Sequence, residues 1–84
     1  MRESSIEGKF ISTLPVIPGY EIVESKGMLM TDSILSHKKA LRALAQKAEG
    51  EGCNALVNVR ISLGYGCVII YGEGVIVKEK PFTY

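Results

Sequence analysis

Three side chains in this 84-residue sequence have the chemistry to hold a soft metal: the thiols of Cys53 and Cys67 and the imidazole of His37. Thiolate and imidazole are the donors that zinc and copper favour. Metal-ligand spacing is what they lack, because neither cysteine belongs to a C-x-x-C pair and the histidine is the only one in the chain. Each also has an ordinary packing role. Cys53 follows a helix end, Cys67 opens a strand, and His37 falls within a helix's apolar sector between Ile34 and Leu41. A metal bound here would be a soft divalent or monovalent ion on Cys53, Cys67 and His37, since scattered carboxylates such as Glu21 and Glu73 favour harder ions. Packing of both cysteines as free thiols is the preferred expectation.

Other chemistry is less well supported. Asp32, His37 and a cysteine can be drawn as a triad, but no nucleophile elbow or paired-carboxylate pattern brings them together, so the chain reads as a non-enzyme. Glycines at 64, 66, 72 and 74 join or interrupt strands, whereas phosphate-binding loops lead a strand into a helix N-terminus. Lys38, Lys39, Arg42 and Lys47 give a helix a basic side without interleaved aromatics, which is a solvated face. A formal net charge of +1 supplies no field to recruit nucleic acid or an anionic membrane. The first ten residues, MRESSIEGKF, contain no apolar run of signal-peptide length, and the cysteine usage fits a reducing compartment. The expected location is cytoplasmic.

The elements that would position these residues centre on residues 52–78, GCNALVNVRISLGYGCVIIYGEGVIVK. Ala55, Val57, Val59, Ile61 and Leu63 alternate with polar residues, which predicts a half-buried strand. The next strand, Cys67 to Val77, is apolar on both sides, with Ile69, Val75 and Val77 on one face and Val68, Ile70 and Ile76 on the other. One covering helix cannot bury both faces, so a partner subunit is expected. Gly64-Tyr65-Gly66 predicts a tight antiparallel turn between them.

Upstream, residues 1–8 read as an N-terminal arm, residues 9–78 as one α+β domain and residues 79–84 as a tail. Lys9 to Thr13 can form a short strand before Pro15 and Pro18 interrupt pairing. Pro18-Gly19 is turn chemistry that launches a strand from Tyr20 to Met30, with Tyr20, Ile22, Met28 and Met30 on one face and a bulge near Gly27. Thr31-Asp32-Ser33 offers capping oxygens for a helix. Its apolar sector is Ile34, Leu41, Leu44, Ala45 and Ala48, and Gly52 is placed for a left-handed C′ position. The predicted fold is therefore a small antiparallel sheet of three to four strands with one amphipathic helix, in β-β-α-β-β order.

IPGYEI at 17–22, GCNALVNVR at 52–60 and YGEGVIV at 71–77, with IST at 11–13, resemble the YbjQ-like family, often labelled heavy-metal-binding. The resemblance spans roughly Phe10 to Lys78. It implies an α+β subunit assembled as a ring, usually a pentamer, which agrees with the surplus apolar strand surface. GEGV stands where the family more often has GTAV, and the segment between the Met30 strand and the helix is shorter than usual. The family's metal label carries no ligand motif onto numbered positions here. The functional expectation is a cytosolic homo-oligomeric binding or assembly module whose partner is itself, with a heavy-metal-binding ring as its sharper form. The alternative is a dodecin-like small-molecule carrier holding its ligand between subunits.

Overall fold

The computed structural model describes residues 6–33, 37–64 and 66–81. A short 3-10 turn (Gly8–Phe10) precedes β1 (Tyr20–Ser33), α1 (His37–Gly50), β2 (Ala55–Gly64) and β3 (Cys67–Glu79). The strands form one antiparallel sheet in the order β1-β3-β2, which places the doubly apolar β3 in the centre. A central strand is paired on both edges and takes core against both faces, which suits the apolar residues of β3 on its two sides, Ile70 on one and Val75 and Val77 on the other.

Among the described residues the sheet has three strands. Lys9 to Thr13 is not the expected fourth: residues 8–10 turn, with Phe10 N donating to the Glu7 carbonyl, and Ile11 makes only an isolated parallel bridge to Leu56. The link that follows still serves as a partial edge for β2, because Ser12 N donates to the Leu56 carbonyl, Val59 N to the Ser12 carbonyl and Asn58 N to the Leu14 carbonyl. Pro15 lacks an N–H and ends this pairing. Ile6, assigned to the arm because of its charged neighbours, is buried in the core.

Two further boundaries differ from the sequence reading. Thr31, Asp32 and Ser33 continue β1, paired with Ile70, Ile69 and Val68, and the helix begins only at His37. Thr31 instead donates its hydroxyl to the Ala40 carbonyl across 2.7 Å, tying β1 to the helix. Pairing with β3 satisfies three backbones at once, which outweighs a local capping preference. Ile34, expected in the helix's apolar sector, lies outside the described residues, as does Tyr65 of the turn.

In β2 the alternation breaks at Asn58, whose φ of 54° is left-handed. The register with β3 shifts between Val57 and Arg60, so Ala55 and Val57 lie on one face while Val59, Ile61 and Leu63 cross to the other. In β1 there are two shifts, between Ile22 and Glu24 and between Ser25 and Gly27. Each bulge moves the following residues to the opposite face, so two of them cancel and Tyr20, Ile22, Met28 and Met30 share a face as expected. Glu24 between the bulges does not share it. It pairs with Ile76.

Both sheet faces carry core. On one side α1 packs Ala40, Leu44, Ala45 and Ala48 against Leu56, Val59 and Ile70. On the other, Ile17 and the edge-to-face pair Phe10–Tyr20 cover Ala55, Val57, Val75 and Val77. The largest fully buried side chains are Leu44, Leu56, Ile70, Val57 and Val75, and each contributes about 1.5–3 kcal/mol by leaving water. Thus the N-terminal link covers part of the surplus β3 surface.

Candidate functional site

Cys53 is placed by the end of α1. Gly52 takes φ 86°, Gly52 N donates to the Glu49 carbonyl and Cys53 N to the Ala48 carbonyl, the paired bonds of a Schellman motif. This reversal drives the Cys53 side chain under the helix, where it is buried among Ala48, Leu56 and Ile70 in one apolar cluster. Asn54 then locks the chain onto β3: its side-chain amide donates to the Val77 carbonyl at 3.0 Å and accepts from Val77 N at 2.8 Å. Burial raises the Cys53 thiol pKa, with Glu51 and Glu24 adding to the rise and Lys26 opposing it. A raised pKa withholds the thiolate that a soft metal requires.

Cys67 is half-buried at the start of β3, paired with Gly64 beside the turn. Cys53 Sγ packs at Gly74, seven residues further along the same strand. At about 3.3 Å per residue the two thiols stand roughly 23 Å apart along β3. One chain therefore does not bring Cys53 and Cys67 to a common ion. His37 begins α1, and its side chain lies outside the described residues. Among the described residues no group of three or more His, Cys, Asp or Glu is arranged to hold a metal.

The basic side of α1 lines a hollow of ≈ 250 Å³ formed by Lys39, Arg42, Ala43 and Gln46. These four recur at helical spacing on one outward surface, so the hollow is the groove between ridges of a solvated helix face.

The surface that sequence reasoning located only in outline is apolar. On the sheet face opposite the helix, the link covers β3 only as far as Val75; beyond the hydrogen bond from Ser25 Oγ to Glu73 Oε2, Met28, Met30 and Tyr71 are open to solvent. Met30 pairs with Tyr71 and remains 60% exposed. On the helix face, Ile61 and Leu63 pair with Ile70 and Val68, and Leu63 is 79% exposed. The two apolar surfaces lie back to back on the same end of the sheet. The Ile61 and Leu63 surface was hidden by the Asn58 bulge, since unbroken alternation places both residues with Val57. An asparagine between two valines inside a strand pattern was the available signal.

No family model and no curated protein matches the chain. Among solved structures it is similar to a protein of unknown function from Pediococcus pentosaceus ATCC 25745 that belongs to the DUF74 family. The likeness covers 88% of this chain and 100% of that chain at 16% identity and a TM-score of 0.46. DUF74 is the YbjQ-like family. No described helix is long and apolar enough to cross a membrane.

Proposed function

We propose that this protein is a non-catalytic, homo-oligomeric assembly module of the cytoplasm, in which several copies build a ring and any ligand is held between copies. The observation that carries this reading is the exposure of apolar side chains on both faces of one sheet end. Isolated exposed apolar residues are ordinary, whereas contiguous apolar rows on a well-ordered sheet mark an interface. A pentamer agrees with the sequence resemblance to the YbjQ-like family. A soft metal, or the small molecule of a carrier, would draw its ligating or stacking groups from neighbouring copies, with Cys67 the more accessible of the two thiols.

Native mass spectrometry of protein prepared without chelator or affinity resin tests this reading, alongside sedimentation at micromolar concentration. The expected result is one closed assembly with no stable monomer. A monodisperse folded monomer would overturn it.

A further inference from the structure

We infer that the link over residues 11–17 is a strap that sets the register of β2: docked, it holds Ile61 and Leu63 on the helix face, and when it lifts, β2 slips by one residue and both change face. The switch lies within one subunit and acts however copies assemble.

The bulge at Asn58 and the strap depend on each other. Asn58 at φ 54° breaks the alternation of β2, and the amides of Asn58 and Val59, neighbours in sequence, both donate to the strap, at 2.8 Å to the Leu14 carbonyl and 3.0 Å to the Ser12 carbonyl. In an unbroken strand successive amides point to opposite edges, so only the bulge offers both. Arg60 clasps the arrangement. Its Nη1 donates to the Thr13 carbonyl at 2.6 Å and to the Val59 carbonyl at 3.0 Å, one on the strap and one on β2, close to where Pro15 lacks the N–H to continue the pairing.

The slipped register is available to the same residues. Val57 pairs with Glu73 and the next pair is Arg60 with Tyr71, which leaves Gly72 without a partner on β2. Without the bulge Asn58 would meet Gly72, Val59 would meet Tyr71 and Leu63 would meet Cys67, and the hairpin loop would lengthen by one residue, which hairpins accommodate. Room for Asn58 exists once Val59 leaves, because Val59 Cγ2 now lies 3.0 Å from where a Cβ at 72 would stand. Burial of Val59 in the helix-side core favours the observed register, so the docked form is the resting one. Arg60 couples strap to slip: slipped, it turns to the helix face, which it reaches only by releasing Thr13. With the strap lifted, the Asn58 and Val59 amides lose their acceptors and nothing outside the strand holds the left-handed residue.

Native Cys67 reports the register once Leu63→Cys is introduced in a Cys53→Ala background. In the observed register residue 63 stands on the helix face opposite Val68, while Cys67 pairs with Gly64 and alternation turns it to the other face, so the two thiols do not meet. Slipped, they stand directly opposite. Ser12→Pro deletes the N–H that meets the Leu56 carbonyl, after an Ile11 already extended as the residue before a proline requires. Arg60→Gln removes the clasp and leaves the strap itself unaltered. In glutathione buffer the intrachain disulfide, identified by peptide mapping of the subunit-sized species, should rise about tenfold in each variant over the unaltered strap. Hydrogen exchange at Asn58 and Val59 should quicken while the β1–β3 amides stay protected. Quickened exchange without the disulfide would show a strap that covers β2 and does not set its register, which overturns the proposal. Exchange that stays slow in both variants, or loss of the whole fold in both, overturns it as well, because the strap then does not lift from a folded sheet.

Discussion

Gly74 and Cys53 share one space: a Cβ on Gly74 would stand 2.9 Å from Cys53 Sγ and 3.0 Å from Leu29 Cδ1. The thiol occupies the room that a side chain at 74 would need, with Ala48 behind it at 3.7 Å. Gly74→Ala overfills this contact, which costs about 1–3 kcal/mol, offset by about 0.4–1 kcal/mol from a stiffer unfolded chain. A net loss of about 1–2 kcal/mol is expected in urea unfolding at fixed protein concentration. In a Cys53→Ala background the same substitution should cost less, because the sulfur is gone and only the flexible end of Leu29 remains. Equal cost in both backgrounds would show that Leu29, not Cys53, sets the limit.

Gly52 holds the turn that delivers Cys53 to that contact. At φ 86° it closes the Schellman motif, and the space around it is open, so the cost of a side chain there is conformational rather than steric. Gly52→Ala should lower stability by about 1 kcal/mol. An unchanged melting temperature at matched protein concentration would mean that the helix end rearranges freely.

What was legible in the sequence was whatever local chemistry alone decides. Gly19 and Gly52 were readable because glycine takes their positive φ freely, and β3 was readable as a strand apolar on both faces, although its place at the centre of the sheet was not. Thr31-Asp32-Ser33 was misread because its capping chemistry is local while the pairing that captures it comes from residues 68–70. Alternation in β2 failed at Asn58 for a related reason: a left-handed residue flips every side chain after it, and period-two counting cannot see the flip. The candidate metal set could not be judged by spacing either. Cys53 and Cys67 are fourteen residues apart in sequence, and only the packing of Cys53 at Gly74 shows that β3 separates them.

The bulge at Asn58 yields its own prediction. A left-handed conformation costs about 1–2 kcal/mol for most residues and more for a β-branched one, while asparagine and glycine adopt it readily. Asn58→Val should therefore destabilise by about 2 kcal/mol, or shift the register of β2 so that Val59, Ile61 and Leu63 change face. Asn58→Gly should stay within about 0.5 kcal/mol of the parent and keep its assembly state. Assembly lost in Asn58→Val but kept in Asn58→Gly would tie the exposed Leu63 row to this one backbone angle. Loss in both would place the requirement on the asparagine side chain.

Finally, the buried Cys53 thiol makes stability depend on pH in a defined direction. Burial raises its pKa above the ordinary value of 9.0. In the unfolded chain the same thiol ionises at its ordinary pKa, so above that point the unfolded state holds fewer protons than the folded one. Stability is then lost as pH rises through the unfolded pKa, and below it the thiol contributes no pH dependence. Lys26 tempers the loss, because its ammonium lowers the Cys53 pKa, although that ammonium is already paired with Glu24 at 2.6 Å. Melting temperatures of the parent and of Cys53→Ala, compared at neutral pH and near pH 10, isolate this contribution from lysines and tyrosines that titrate in both proteins. The parent should lose more than the variant on going alkaline. At neutral pH iodoacetamide should modify half-buried Cys67 well before Cys53, since the reagent needs both access and thiolate. Equal labelling rates in folded protein, with no difference between the two pH profiles, would remove Cys53 from the core and reopen it as a ligand.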